Sequence, residues 1–126
     1  MAKTVLIVED NPMNMELATD LLEMAGYEIL TSDTAAAALQ LAKERVPDVV
    51  LMDVALPDMD GLDATRRLKE DPELCRIPVI ALTAHAMSGD EERAREAGCD
   101  GYITKPIDTK AFAKYVGEIL ASKASQ

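Results

Sequence analysis

Four apolar runs in this chain each end at a polar residue that phosphoryl-transfer chemistry could use. The runs are residues 5–8, 49–52, 79–82 and 102–104, and the residues that follow them are Glu9 with Asp10, Asp53, Thr83 and Lys105. If the runs are parallel strands of one sheet, these side chains meet outside its carboxyl edge, where open α/β sheets bind their ligands. Three carboxylates, a hydroxyl and an ammonium group gathered there are typical of a metal-assisted phosphate site.

The clustered carboxylates indicate a bound divalent cation. Carboxylates held close together disfavour each other's ionised form unless a cation neutralises them. Mg²⁺ prefers oxygen ligands in octahedral geometry and retains several waters, so one or two carboxylates, a backbone carbonyl and a phosphate oxygen would suit it. We predict Asp10 and Asp53 as metal ligands. Glu9 precedes Asp10 by one residue and is aimed differently at the strand end, so we expect it to reach the ion through water.

Asp53 has a second predicted role, as a nucleophile. A carboxylate can attack a phosphoryl group and form an aspartyl phosphate while a metal ion takes up charge on the transferring oxygens. In that reaction Lys105 pairs with the phosphate and Thr83 donates its hydroxyl to a phosphoryl oxygen. Pro106 fixes the loop that carries Lys105, and the isomer of the bond between them is not readable from the sequence.

Length and composition are those of a single globular domain. The chain has 126 residues, of which 48% are apolar and 29% charged, and a domain of this size buries roughly two-thirds of its unfolded surface. No apolar run approaches the ~20 residues of a membrane span, and the first run is too brief for the core of a signal peptide. We therefore expect a cytoplasmic protein without membrane insertion.

Charge and single residue types restrict the partners. The formal net charge is −10, and the 13 Lys and Arg residues form no basic stripe, so we expect no binding to DNA or RNA. Cys75 and Cys99 lack CxxC spacing and histidine companions, which predicts two reduced, buried or half-buried thiols. Methionines are expected mostly in the core, with a partner-binding surface as the alternative for Met13 and Met87. His85 is expected at the surface beside the site.

Strand-like runs alternate with helical stretches along the chain. The predicted strands are 4–8, 28–31, 49–52, 77–82 and 101–104, and the predicted helices are 12–26, 35–46, 61–70, 88–97 and 109–120. Short right-handed connections between such units produce an α/β fold, a doubly wound five-stranded parallel sheet flanked by five helices. We expect one domain over residues 1–121, a short flexible tail over 122–126 and no output domain.

Four motifs occur in an order and spacing that resemble the receiver domain of two-component response regulators: VLIVEDN from residue 5, LMDVALPDMDG from 51, ALTAH from 81 and YITKP from 102. The resemblance covers nearly the whole chain and implies the strand order 2-1-3-4-5. It further implies that Asp53 accepts a phosphoryl group from a phosphohistidine on a sensor histidine kinase or a histidine phosphotransfer protein. Mg²⁺ (or Mn²⁺) is then held by Asp10, Asp53 and the backbone carbonyl of Ala55.

The resemblance implies a signalling switch and not an enzyme, with chemistry limited to its own phosphorylation and dephosphorylation. Thr83 moves toward the phosphate and Tyr102 changes rotamer, which reshapes the face made by the fourth helix, fifth strand and fifth helix for a downstream protein effector. The motifs are most similar to those of alphaproteobacterial cell-division regulators that consist of a receiver alone. Position 55 is Ala where many receivers carry a polar side chain, so we expect slow loss of phosphate.

Other readings of the same residues remain open on sequence alone. A chemotaxis-type motor binder and a receiver detached from a hybrid kinase share much of the pattern. A small metal-dependent phosphatase or phosphotransferase would also use a strand-end Asp, but 126 residues leave little room for a substrate pocket and cap. A flavodoxin-like cofactor binder would share the fold, yet its phosphate loop is missing and acidic residues would repel a nucleotide's phosphate.

Overall fold

Five strands and five helices alternate along the chain, in a computed structural model that describes residues 2–83, 90–105 and 107–124. The strands are β1 (Thr4–Val8), β2 (Glu28–Ser32), β3 (Val49–Asp53), β4 (Val79–Thr83) and β5 (Gly101–Thr104). The helices are α1 (Pro12–Met24), α2 (Ala35–Arg45), α3 (Gly61–Glu70), α4 (Asp90–Ala97) and α5 (Phe112–Ala124). In the described part of the chain, no helix is both long enough and apolar enough to cross a bilayer.

The strands form one parallel sheet in the order β2-β1-β3-β4-β5, which confirms the predicted topology. The register brings the carboxyl ends of the central strands to nearly the same level. Val8 pairs with Met52, Asp53 pairs with Leu82, and Thr83 pairs with Thr104. The residues that follow these strands therefore share one edge of the sheet.

Side chains on the two faces of the sheet fill two separate cores. Alternate strand residues, such as Leu6 and Met52, pack with α2, α3 and α4 on one face. Their neighbours, such as Ile7 and Leu51, pack with α1 and α5 on the other. Central strands covered on both faces need unbroken apolar sequence, which explains why those runs were recognisable.

The helix starts follow local capping signals. Asn11 accepts hydrogen bonds from the N–H groups of Met13 and Asn14, and Pro12 occupies the first position of α1, where its missing N–H costs nothing. Thr34 caps α2 through the N–H of Ala37. The prediction that methionines fill the core is wrong for two of them: Met13 and Met24 are 79% and 85% exposed, because Ala18 and Leu22 form the buried face of α1.

Several predicted boundaries shift by one to four residues. The last helix begins at Phe112 and not at Thr109, because the Asp108 carboxylate accepts from the N–H groups of Lys110 and Ala111 and forms a turn first. It continues to Ala124, four residues past the predicted end at residue 120, since no Gly or Pro interrupts its final residues.

Smaller boundary differences have local causes. β4 begins at Val79, because Pro78 cannot donate to the ladder, and it extends to Thr83 by pairing with β5. α1 ends at Met24 and α2 at Arg45. The predicted first two residues of α4, 88 and 89, lie outside the described residues. Both cysteines are free thiols, but Cys75 is exposed, contrary to expectation, while Cys99 is buried.

Candidate functional site

The sequence-predicted carboxylates converge at the carboxyl edge of the sheet. Glu9 follows β1 and Asp53 ends β3, and their neighbouring strands pair directly. One carboxylate oxygen each of Glu9, Asp10 and Asp53 lies within 4.8 Å of the other two. Glu9 and Asp53 are 2% and 3% exposed, whereas Asp10 faces solvent. The site is therefore an acidic pocket with one open side.

Lys105 places its ammonium group between the two buried carboxylates. Its Nζ lies 2.6 Å from Glu9 Oε2 and 3.2 Å from Asp53 Oδ2. The chain reaches this point because the Lys105 N–H donates to the Thr83 carbonyl at 2.7 Å, which extends the pairing of β4 and β5 past the strand end. The second Glu9 oxygen, Oε1, accepts from the Asn11 N–H at 3.1 Å, so both ends of that carboxylate are fixed.

Burial and charge act in opposite directions on these groups. Burial raises the pKa of Glu9, and Asp53 raises it further, while the hydrogen bonds from Lys105 and the Asn11 backbone only partly offset this. Burial lowers the pKa of Lys105, but Glu9 and Asp53 outweigh it and the pKa is raised overall. Lys105 therefore stays charged, and the ionised form of Glu9 is held at a cost to the fold.

Because the ionised form of Glu9 lowers the free energy of unfolding, we predict that Glu9→Gln stabilises the metal-free protein in a pH-dependent way. The folded-state pKa of Glu9 lies above its ordinary value of 4.5, so the folded chain binds this proton more tightly than the unfolded chain. Stability then falls as pH rises from 4.5 through the folded-state pKa. We expect Glu9→Gln to be more stable than the wild type at neutral pH and equal to it below 4.5, in urea unfolding with EDTA. Equal free energies of unfolding for Glu9→Gln and the wild type at neutral pH would contradict this. Glu118→Gln, which removes one charge at an exposed residue, is the control for net charge.

Asp53 is oriented by contacts to each of its oxygens. Oδ1 accepts from the Ala55 N–H at 3.1 Å, and Oδ2 faces Lys105. The loop that supplies Ala55 lies between β3 and α3 and brings this exposed residue alongside the acidic cluster. The buried Asp53 carboxylate is thus held in a fixed direction.

The donor set fits a hard divalent cation. Among the described residues, three carboxylates and one ammonium give this cluster a net charge of about −2, which matches the charge of Mg²⁺ or Mn²⁺. All the side-chain donors are oxygen atoms, the type of ligand these ions prefer. Solvent exposure of Asp10 leaves room for the waters that Mg²⁺ retains.

The predicted switch residues Thr83 and Tyr102 lie on β4 and β5. Thr83 is buried at the end of β4. Tyr102 lies two residues before the end of β5, half-buried, and its backbone N–H donates to the hydroxyl of Tyr115 at 2.9 Å. It packs against the core on the α4 side of the sheet. His85, Met87 and the bond to Pro106 lie outside the described residues.

Sequence reasoning missed two residues that shape this edge. Gly61 begins α3, and a side chain there would collide with the Asp53 backbone. Asp58 binds the start of α2, 23 residues away in sequence. The turn-forming composition of residues 54–60 signalled a special loop, but nothing in it identified the contact partner of Asp58.

The sequence profile described as the response regulator receiver domain matches residues 5–117. The chain belongs to this family. As a receiver it takes part in two-component signalling. It is 51% identical over 120 residues to the polar-differentiation response regulator DivK of Brucella ovis, covering 95% of this chain and 98% of that protein.

Solved receivers share the same architecture. A CheY-like receiver domain protein from Methanospirillum hungatei superposes with a TM-score of 0.91 at 26% identity, covering 99% of this chain and 98% of the other. The receiver domain of a sensor histidine kinase from Pseudomonas aeruginosa, solved with magnesium coordinated in its active site cleft, superposes at 0.88 with 32% identity, covering 96% and 99%. Membership of the receiver family favours a signalling receiver over a flavodoxin-like cofactor binder.

Proposed function

We propose that this receiver accepts a phosphoryl group on Asp53 from a phosphohistidine of a sensor histidine kinase or histidine phosphotransfer protein. The observation that carries the proposal is the environment of Asp53. Its carboxylate is buried, oriented by the Ala55 N–H, and adjacent to both the Lys105 ammonium and two further carboxylates. An isolated structural aspartate would not require that surrounding charge.

Asp10, Asp53 and the backbone carbonyl of Ala55 would hold Mg²⁺ directly, and Glu9 would bind it through water; Mn²⁺ suits the same ligands. When bound, the ion offsets the carboxylate charge and the charge that develops on the transferring oxygens. The fit is supported by the net charge of about −2 of the cluster and by the magnesium in the cleft of the Pseudomonas aeruginosa receiver.

The chain's own groups act around the transfer. An Asp53 carboxylate oxygen attacks the phosphorus, and the new O–P bond forms as the P–N bond to the donor histidine breaks. The electron pair of that bond leaves with the ring, whose other nitrogen carries a proton, so the donor departs as neutral imidazole. Lys105 is already 3.2 Å from Asp53 Oδ2 and needs only a small shift to pair with a phosphoryl oxygen. Thr83, at the end of the adjacent strand, donates its hydroxyl to another.

Phosphorylation then changes contacts with a downstream protein effector. The modification adds about −1.5 to −2 charges to a site where carboxylates already compete for one ammonium. Movement of Thr83 toward the phosphate is coupled to Tyr102 and the surface of α4, β5 and α5, with a coupling free energy of about 1–3 kcal/mol between sites. The protein acts as a cytoplasmic switch without enzymatic output, and it does not bind nucleic acid, given its net charge of −10. The likeness to DivK favours control of cell division or polar differentiation.

Mass spectrometry of the purified protein after incubation with acetyl phosphate tests this chemistry without a partner. We expect a mass gain of one phosphoryl group that requires Mg²⁺ and disappears in Asp53→Asn. The wild type treated with EDTA separates the metal requirement from slow reaction. A gain that survives Asp53→Asn, or no gain with Mg²⁺ present, would overturn the assignment of Asp53 as phosphoacceptor.

The aspartyl phosphate is expected to be long-lived, because Ala55 offers no polar side chain to orient an attacking water. Ala55→Asn supplies one at an exposed position of the loop. We expect this variant to lose phosphate about tenfold faster, which is less than the roughly 10²–10⁴-fold of a group that itself transfers a proton, because an amide only orients the water. Decay of the phosphorylated species is followed by mass spectrometry after removal of acetyl phosphate. Unchanged decay in Ala55→Asn would show that position 55 does not set the lifetime.

A further inference from the structure

The loop between β3 and α3, residues 54–60, is fixed at its base. Ala55 and Asp60 form an antiparallel bridge across it, and the Gly61 N–H donates to the Val54 carbonyl at 2.8 Å. The Asp60 side chain caps α3 through the N–H of Leu62. These contacts set where the loop leaves β3 and enters α3, but they do not hold its tip.

At the tip, where Leu56 and Met59 also pack against the core, the Asp58 side chain reaches a different helix. Its Oδ1 accepts from the Ala35 N–H at 2.9 Å and its Oδ2 from the Ala36 N–H at 3.0 Å. The first N–H groups of a helix have no partner within the helix, and a carboxylate is favoured at that positive end. These two hydrogen bonds hold the pKa of Asp58 below its ordinary value.

Helix α2, whose first N–H groups bind Asp58, is packed into the core of the domain. Ala35, Ala38 and Ala42 of α2 are buried in the core beneath the sheet, together with Leu6 and Val8 of β1. α2 has its own cap as well, because Thr34 Oγ1 accepts from the Ala37 N–H at 3.2 Å. Asp58 therefore links a surface loop to a rigid element, and α2 does not depend on Asp58 alone for its start.

We propose that Asp58 is a positioning residue for the metal site: by binding the start of α2 it holds the loop tip, and so restrains, together with the bridge at the loop base, the Ala55 carbonyl that would bind the ion. The inference rests on the proposed Mg²⁺ site. Groups outside the ligand shell that orient ligands commonly change metal affinity by 10–100-fold when removed. Asp58 lies three residues after Ala55 in the loop, so we expect its removal to weaken Mg²⁺ binding by the lower end of that range.

Three variants distinguish positioning of the loop by Asp58 from two simpler effects of its carboxylate, which are its negative charge and its stabilisation of the α2 start. Asp58→Ala removes the link to α2. Thr34→Ala weakens the same helix start without releasing the loop. Asp58→Asn removes the negative charge, as Asp58→Ala does, but retains an oxygen that accepts from one of the two N–H groups.

Mg²⁺ affinity is measured by isothermal titration calorimetry, and exchange of the Ala55 amide by NMR without metal. We expect Asp58→Ala to weaken Mg²⁺ binding about tenfold and to accelerate exchange of the Ala55 amide, which donates to Asp53 in the wild type. Thr34→Ala is expected to change neither, and Asp58→Asn to recover most of the affinity.

The measurements test the proposed Mg²⁺ site and the role of Asp58 separately. Wild-type protein that binds no Mg²⁺ would overturn the proposed metal site and the role of Asp58 with it. Normal Mg²⁺ binding by the wild type and equally by Asp58→Ala would overturn the role of Asp58 alone. Equal losses in Asp58→Ala and Asp58→Asn would assign the effect to charge, and equal losses in Asp58→Ala and Thr34→Ala would assign it to helix stability; either result would overturn positioning.

Discussion

Gly61→Ala is expected to destabilise the protein by about 3 kcal/mol, at the upper end of the usual cost of overpacking, and to slow phosphorylation of Asp53. A Cβ at position 61 would lie 2.0 Å from the Asp53 carbonyl oxygen and 2.8 Å from its carbonyl carbon. These are backbone atoms, so no side-chain rotation relieves the clash. Either α3 moves away from the sheet or the end of β3 shifts, and the second change displaces the phosphoacceptor. For a domain of this size the loss corresponds to roughly 10 °C in Tm.

Gly117→Ala is the matched control for that substitution. Gly117 lies within α5, and among the described residues a Cβ there would meet the Tyr27 hydroxyl alone, at 3.3 Å. The hydroxyl sits at the end of a side chain that can yield, and Ala is favoured over Gly within a helix by about 1 kcal/mol. Thermal unfolding and the rate of phosphorylation by acetyl phosphate are measured for both variants. A Gly61→Ala protein with wild-type Tm would show that the β3–α3 junction adapts, contrary to our expectation.

Most of the fold could be predicted because two of its determinants are local. Central strands buried on both faces need unbroken apolar sequence, and the three runs that meet this need, β1, β3 and β4, were found within two residues of their ends. Caps such as Asn11 before Pro12 act over a single helical turn. The convergence of Glu9, Asp53 and Lys105 followed from topology alone, since parallel strands place their carboxyl ends at one edge.

Contacts between distant segments could not be predicted from the sequence. Asp58 binding to Ala35 and Ala36 depends on how a loop and a helix start approach each other in space. The pairing of Lys105 with Glu9 depends on the register of β4 and β5, which sets the exact height of the ammonium group. Which residues of α1 face the core was also not readable locally: Ala18 and Leu22 are buried, whereas Met13 and Met24 are exposed.

The charge distribution of the site explains why the metal-free protein needs Lys105. Glu9 and Asp53 are buried side by side, and ionised carboxylates so close together favour a neighbouring cation. Lys105 is the ammonium that contacts both, at 2.6 Å and 3.2 Å. A divalent ion bound there would compete with Lys105 for the same carboxylate oxygens. Either cation therefore offsets the repulsion between the two buried carboxylates.

Lys105→Met is therefore expected to destabilise the metal-free protein at neutral pH by about 3 kcal/mol, the cost of removing one partner from a buried ion pair. Methionine retains the apolar length of the side chain and removes only the charge. Lowering the pH reduces the loss, because Glu9, whose pKa is already raised by burial, takes up a proton. Added Mg²⁺ stabilises this variant more than it stabilises the wild type. Urea unfolding with EDTA or Mg²⁺ measures each of these differences, and Lys110→Ala, on an exposed lysine, is the control.

The double variant Glu9→Gln with Lys105→Met decides whether the loss comes from charge. If buried carboxylates without a cation are the cause, Glu9→Gln stabilises the Lys105→Met background by about 1 kcal/mol more than it stabilises the wild type, within the usual range for residues in contact. Equal effects of Glu9→Gln in both backgrounds would mean that Lys105 contributes through packing, since only a charge interaction between the two side chains makes their substitutions depend on each other in this direction. The same cycle repeated with Mg²⁺ should show a smaller difference, because the ion then supplies the positive charge that Lys105→Met removed.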